Sequence, residues 1–474
     1  MARRSAPAFA ALLIVLAGCG GLTAPEGEST TSTVTADTTE TRTSTFTVTG
    51  TPTPTPADHP DFADPQTDRL GWEAGRWYDE PLSVNATDGL NGSERTAVVA
   101  RTMARVERIR GLEFTDPVPV AVVDRETYRA EEEVTATAFD EAVWEALLLI
   151  GEDRSVEATF ESFYGASVQG SYVPSEDRIL VVSDAAEPRI DRRTLAHELV
   201  HALQDQHFGV DRQRVTRDER LARQGLIEGD AGYVEDRYER RCRADWPCRP
   251  RPPSGPGASL DGDLGVYVAV YQPYSDGPAF VHHLRQRGGW EAVNAAYADP
   301  PTSSTQVIHP ERYPNWSAER VRIADRSATN WSRLNHTPPG TTVGEASLFA
   351  TLRANGAVEP FHLQRTSRPH RAYNYSHPVT TGWTGDRIVP YRSADGGTGY
   401  VFRTAWATEE DAAAFAATYR QLLRERRGAE RRDGDVLVVP AGPYADAFRV
   451  THDGTTVTVV NAPTVEALDS VHAR

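Results

Sequence analysis

Histidine at 197 and again at 201, with glutamate at 198, is the pattern that most limits how this chain can fold. On an α-helix each residue turns by about 100°. Residues four apart therefore project from one face, and His197 and His201 can share one ion. Zinc takes imidazole nitrogens readily, and three protein ligands leave a fourth position for water. Glu198 sits beside the first ligand and can reach that water as a general base. Leu195, Leu199, Ala202 and Leu203 give the same stretch an apolar face at helical spacing. The plain alternative is a surface helix with two solvated histidines.

Two histidines hold zinc weakly, so a third ligand is required. Glu228 stands first. It lies in Leu226-Ile227-Glu228-Gly229-Asp230-Ala231, on a stretch from Arg220 to Tyr238 that reads as a second helix. His207 gives HExxHxxxxxH, close to the metzincin pattern HExxHxxGxxH, but Gln204 occupies the glycine position that turns the chain there. If the helix continues, His207 lies about 15 Å further along the axis than His197 and cannot share the ion. Asp205, one turn beyond His201, suits an orienting carboxylate better than a ligand. Both stay as alternatives. Tyr274, His309 and Tyr313 are candidate donors to a developing oxyanion by residue type.

The chain has 474 residues, long enough for two or three domains. Its net charge is −17, and all fifty basic residues are arginine. That balance excludes a nucleic-acid partner, which wants a basic face. It fits a salt-adapted protein from a GC-rich genome, although codon bias alone also explains the missing lysine. Arg3-Arg4 and the apolar run from Ala8 to Leu16 have the layout of a signal peptide, residues 1–18, for Sec or Tat export. Leu16-Ala17-Gly18-Cys19 resembles a lipobox, which would make Cys19 the lipid-bearing first residue of the mature chain. An uncleaved membrane anchor is the alternative. Either way the chain is expected at the outer face of the cell membrane.

Residues 19–60 are rich in Thr, Ser and Pro and read as an extended stalk. Residues 61–338 form the expected main domain and 339–474 a smaller α+β domain with one sheet and a main helix at Glu409 to Arg426. In the main domain, helices are expected at Ser93 to Arg110 and Tyr128 to Ile150, and a strand at Val118 to Val123. A hairpin with strands Ser171 to Val173 and Arg178 to Val182 precedes the HExxH helix, and its edge could take an extended peptide as an added strand. Leu264 to Tyr271 is β-rich or helical; Gly277 to Arg287 and Trp290 to Tyr297 read as short helices. Cys242 and Cys248, six apart and outside the cell, are expected to form a local disulfide. Asn85, Asn91, Asn315, Asn330, Asn335 and Asn374 head Asn-x-Ser/Thr sequons and are glycosylation candidates on the surface.

His197-Glu-Leu-Val-His201 with Glu228-Gly-Asp-Ala231 resembles the gluzincin metallopeptidases, whose zinc is held by HExxH plus a glutamate on a following helix. More narrowly, the run from His197 to Phe208 with this segment is similar to poorly characterised surface lipoproteins of halophilic archaea. The similarity extends over Tyr274 to Phe280, Gly288 to Val293 and Ile308 to Tyr313. It implies an α+β, zincin-like metallopeptidase domain and one zinc per chain on His197, His201 and Glu228. It further implies Glu198 as catalytic base and peptide or protein substrates. Thermolysin-like gluzincins carry Asp four residues after the third ligand; here that position is Gly232, so orientation of the ligands must come from Asp205, Asp230 or Glu235. A non-catalytic surface protein that keeps a structural zinc site is the competing reading.

Overall fold

The computed structural model describes residues 13–16, 62–85, 88–131, 134–185, 187–210, 216–251, 263–432 and 434–474. Cys19 and the stalk lie outside them. The described chain begins with strand β1 (Leu13–Leu16), then the small hairpin β2 (Trp72–Glu73) and β3 (Arg76–Trp77). Helix α1 (Gly92–Arg110) starts where Asn91 accepts from the Ser93 and Glu94 amides while Glu94 bonds back to the Asn91 amide. It stops at Gly111, whose φ of 74° only glycine adopts freely.

Strand β4 (Val120–Val123) leads into α2 (Arg125–Glu131) and α3 (Ala138–Ala146). The single helix expected from Tyr128 to Ile150 is thus two. Thr137 caps α3 through a box with Asp140, which fixes a fresh helix start there. Helix α4 (Val156–Ser167) precedes the hairpin β5 (Val168–Val173) and β6 (Arg178–Val182). Next come α5 (Arg192–Phe208), α6 (Arg217–Ala244) and α7 (Leu264–Ala298). Helix α7 fuses the three pieces read separately from the sequence. Pro273 and Pro278 lie inside it, and the chain kinks at Gly288 and Gly289.

The rest contains α8 (Ser304–Ile308), β7 (Trp331–Arg333), α9 (Gly344–Ala354), α10 (Pro378–Thr381), β8 (Trp383–Ser393), β9 (Thr398–Trp406) and α11 (Glu409–Arg426). Strands β10 (Glu430–Arg431), β11 (Val436–Val438), β12 (Ala447–Asp453) and β13 (Thr456–Ala462) and helix α12 (Leu468–Val471) complete it. The fold is α+β with two main sheets. The first runs β1-β5-β6-β4, antiparallel except for β4 against β6. The second is antiparallel, in the order β10-β11-β12-β13-β9-β8-β7.

Two large apolar cores divide the molecule. One packs α1, α5, α6 and the outer half of α7 against β5 and β6. The other runs from Phe139 and Trp144 through Val266 and Phe349 to Trp383 and Phe402. The C-terminal sheet therefore shares its core with α3, α4 and the first half of α7. Strand β7 also joins that sheet from the other side of residue 338, with Trp331 opposite Ser393. Among the described residues no helix is long and apolar enough to cross a membrane.

Candidate metal centre

Asp191 caps α5 by accepting from the Arg193 amide, and the helix then carries His197, Glu198 and His201 inward. All three are almost wholly buried. Helix α6 crosses α5 and brings Glu228 opposite them. His197 Nε2 stands 3.2 Å and His201 Nε2 3.4 Å from Glu228 Oε2. One ligand atom from each of the three lies within 4.8 Å of the other two.

The remaining ring nitrogens are fixed. His197 Nδ1 faces Glu235 Oε2 at 3.1 Å, and a carboxylate accepts only, so Nδ1 carries the proton. His201 Nδ1 faces Gln204 Oε1 at 3.0 Å, while the Gln204 amide nitrogen donates to the Ile227 carbonyl. That second bond sets which way the amide points. It makes His201 Nδ1 the donor too. With Nδ1 the donor on both rings, Nε2 is the atom each histidine turns to Glu228, and a metal ion there would take the place of the Nε2 proton.

Electrostatics favour positive charge at this point. Burial works against protonating His197, but its bonds to Glu228 and Glu235 outweigh that and raise it to about 10. Burial alone would raise Glu228; the charges of His201 and His197 instead hold it well below the usual carboxylate range. His201 Nε2 and Glu228 Oε1 are buried without hydrogen-bond partners. Two imidazoles and a carboxylate, with unpartnered ligand atoms turned inward, fit zinc's preferred donor set.

Glu198 is placed differently. Its Oε2 accepts from the Tyr172 amide on β5 at 2.7 Å, while Oε1 has no partner. Burial raises it to about 7 against the opposing pull of His201 and His197. Gly170 lets β5 come this close: a Cβ there would stand 3.0 Å from Thr194 Cγ2 and 3.6 Å from Glu198 Cγ. A cleft of about 710 Å³ opens at Glu198, between Gln169 and Gly170 of β5, Val181 of β6, and Thr194 and Leu195 of α5. Its volume is in the range of ligand sites.

Several expectations need correction. Asp205 does not reach His201: its Oδ1 accepts from the Val210 amide and its Oδ2 from the Tyr172 hydroxyl. One turn along the helix is the right height but the wrong side, and Gln204, three residues on, meets Nδ1 instead. Asp230 turns away to a buried pair with Arg110 and a bond from Tyr297. His207 is exposed, with Nε2 2.7 Å from the Glu113 carbonyl, far from ligand geometry. Of the three oxyanion candidates, only Tyr274 lies at the site. Burial, then the charges of Glu228, Tyr164 and Glu198, push its phenol well above its ordinary value. His309 pairs with Glu345, and Tyr313 donates to the Asp299 carbonyl.

Glu235 and Gln204 are the orienting residues that sequence reasoning left unranked or missed. Glu235 lies seven residues after Glu228, hence on the same face of α6, and Arg193 pairs with it. Gly232 sits where α6 meets α7; a Cβ there would be 3.1 Å from Pro278. Cys242 and Cys248 are bonded, 5.4 Å apart at Cα. Asn85, Asn91, Asn315, Asn330 and Asn335 are exposed. Asn374 is not: it is half-buried, with its amide nitrogen 3.2 Å from His362 and its oxygen accepting from Ser376.

A family described as a domain of unknown function, DUF8575, matches residues 332–472. Its start coincides with β7, and its span is the C-terminal sheet with α9, α11 and α12. No curated protein and no solved structure matches the chain.

Proposed function

We propose that the chain is a zinc-dependent peptidase of gluzincin type and zincin-like fold, acting outside the cell on peptides or proteins. The observation that carries this reading is the convergence of His197, His201 and Glu228 within 4.8 Å, beside the buried Glu198 with one free oxygen. These three side chains would hold one zinc ion, which would supply a Lewis acid that polarises a carbonyl and acidifies water. Glu198 takes the proton of the attacking water on Oε1 and later passes it to the leaving amine. The Tyr172 amide anchors Oε2, so Oε1 keeps its aim. Tyr274, beside Glu228, is suited to donate its proton in a hydrogen bond to the developing oxyanion.

Strand β5 supplies the means of holding a peptide. Its outer edge takes β1 antiparallel, with Leu13 opposite Tyr172. Cleavage before Cys19 would remove β1 and free that edge beside Glu198. An extended substrate adding there as a strand would run past the base. A lipid on Cys19 and the stalk of residues 19–60 would hold the enzyme at the membrane; on this reading, Cys19→Ala releases it into the medium. A non-catalytic protein with a structural zinc site has no use for a buried carboxylate held with one oxygen free.

The test is metal content and casein hydrolysis in high salt, for the chain without residues 1–18 and for its Glu198→Gln variant. Both should retain zinc. Hydrolysis should fall by about 10²–10⁴-fold in the variant. Equal hydrolysis in both excludes Glu198 as the base. Zinc in both with hydrolysis in neither removes the peptidase reading for this substrate.

A further inference from the structure

Positive side chains gather where α6, α7 and the segment between α9 and α10 meet. His282 and Arg285, three apart on α7, occupy neighbouring positions on one face of that helix. Both meet Tyr233 of α6. The His282 and Tyr233 ring centres are 5.9 Å apart, and Arg285 Cζ stands 5.5 Å from the Tyr233 ring while Nη1 donates to its hydroxyl at 3.0 Å. His370 closes the group, with its ring centre 4.9 Å from Tyr233 and 4.7 Å from His282. Tyr233, Asp236 and Arg240 recur at three- and four-residue spacing on α6; Glu235, between them, turns to His197 instead.

Charge is unbalanced here, against the trend of a chain that carries −17 overall. Burial first, then the charges of His370, Arg285, Arg240 and His283, hold His282 below its ordinary value. One acid answers them. Asp236 Oδ2 lies 2.9 Å from His370 Nδ1 and 2.9 Å from Arg240 Nη2, so its charge is already shared between those two. Among the described residues no carboxylate pairs with His282 or Arg285.

Two nitrogens supply the sign of a ligand. Arg285 Nε and His282 Nδ1 are buried without hydrogen-bond partners. Arg285 Nε always carries a hydrogen. The Gln286 amide nitrogen stands 3.4 Å from His282 Nε2; so turned, it donates there and leaves the imidazole proton on Nδ1. Two adjacent side chains of α7 thus each hold a buried N–H with no acceptor, a condition that native folds avoid.

We propose that His282 and Arg285 form a binding site for a tetrahedral oxyanion, phosphate or sulfate, with His370 and Arg240 adding charge. Since Arg285 gives Nη1 to Tyr233, the edge of its guanidinium formed by Nε and Nη2 is left, and such an edge takes two oxygens of an oxyanion side by side. The His282 N–H takes a third oxygen, which a flat carboxylate lacks. Both side chains are half-buried, so the ion can enter from solvent. Its charge offsets the repulsion between His282, His370 and the arginines, and so holds the segment carrying His370 against α6 and α7.

Potassium phosphate, sulfate and acetate are each titrated by calorimetry into the chain, dialysed against zinc and then buffer, with ionic strength held constant by KCl; Tm is followed in parallel. Arg285→Gln, His282→Gln and Arg241→Gln are treated alike, Arg241 being an exposed arginine of α6 that pairs with Asp245. The wild type should bind phosphate or sulfate at this site and melt higher as that ion rises. Arg285→Gln should bind it about tenfold or more weakly. His282→Gln should weaken binding too, and Arg241→Gln should match the wild type. If Arg285→Gln fails to fold for want of its ring contacts, His282→Gln carries the comparison. Absence of heat and of any Tm rise with both oxyanions overturns the proposal, as does acetate binding equally well. Binding unchanged in both site variants, as from a phosphate on the zinc ion, also overturns it. None of these readouts uses hydrolysis, so failure here leaves the reading of the metal centre intact.

Discussion

His197 and His201 offer Nε2 inward because Glu235 and Gln204 hold the other ring nitrogens. Sequence spacing showed that the two rings share a face but not what lies behind them. Glu235 meets His197 only through the angle at which α6 crosses α5, which no local pattern encodes, while Gln204 meets His201 from the same helix. Gln204 illustrates the gap: read as the residue that breaks a metzincin pattern, it is the one that sets the His201 tautomer. Asp205 looked better placed by helical height alone, yet it serves the Tyr172 hydroxyl and the end of α5. Glu235→Ala should therefore weaken zinc binding by about 10–100-fold, in line with losses of other orienting partners. Asp205→Asn should leave it unchanged. Competition against a chromophoric chelator measures both, and equal losses would mean the two acids have been assigned wrongly.

Helix α6 can place Glu228 only because it touches α7 backbone to backbone. A Cβ on Gly229 would stand 2.4 Å from the Gly277 carbonyl carbon, too close for any side chain. This contact sets Glu228 beside Tyr274, one turn before Gly277. Gly229→Ala must force the helices apart, at a cost of about 1–3 kcal/mol of overpacking, and should lower Tm. Gly92→Ala, where nothing lies within 4 Å of the added carbon, should change Tm little or raise it. Much at this scale was legible. The hairpin β5–β6, the helices carrying His197 and Glu228, and α11 stand where the residue pattern predicts them. Helix α7 was not legible as one element: Leu264 to Tyr271 is apolar enough to read as β-rich or helical, and Pro273 and the kink at Gly288 and Gly289 interrupt the regular pattern between the pieces.

The expected division at residue 338 sets off a smaller C-terminal α+β domain, and that part packs closely against α7 and α3. Arg371 pairs with the buried Asp276 on α7, and Ser275 and Tyr373 exchange two hydrogen bonds. Composition cannot show this, because a shared core needs no unusual residues. Asp218, wholly buried at the start of α6, accepts from the amide and hydroxyl of Ser304 near α9. Burial raises it from 3.8 to about 6 despite those bonds. Its proton is thus held more tightly in the folded state than in the unfolded one. Its contribution to stability is fully present below the unfolded value and is lost as pH rises through about 6, on the order of 3 kcal/mol. Asp218→Asn keeps an accepting oxygen but has no proton to lose. Denaturant unfolding between about pH 4 and 7 should show the variant gaining stability relative to the wild type as pH rises. A constant difference would mean that Asp218 does not titrate there.

The proposed metal centre is tested most directly by zinc stoichiometry in the wild type, Glu228→Gln and His207→Ala, each dialysed against excess zinc and then against buffer. The geometry predicts one zinc per chain in the wild type and in His207→Ala, and loss of it in Glu228→Gln. Zinc retained by Glu228→Gln but lost from His207→Ala, or a wild type that binds none, would contradict a centre built from His197, His201 and Glu228.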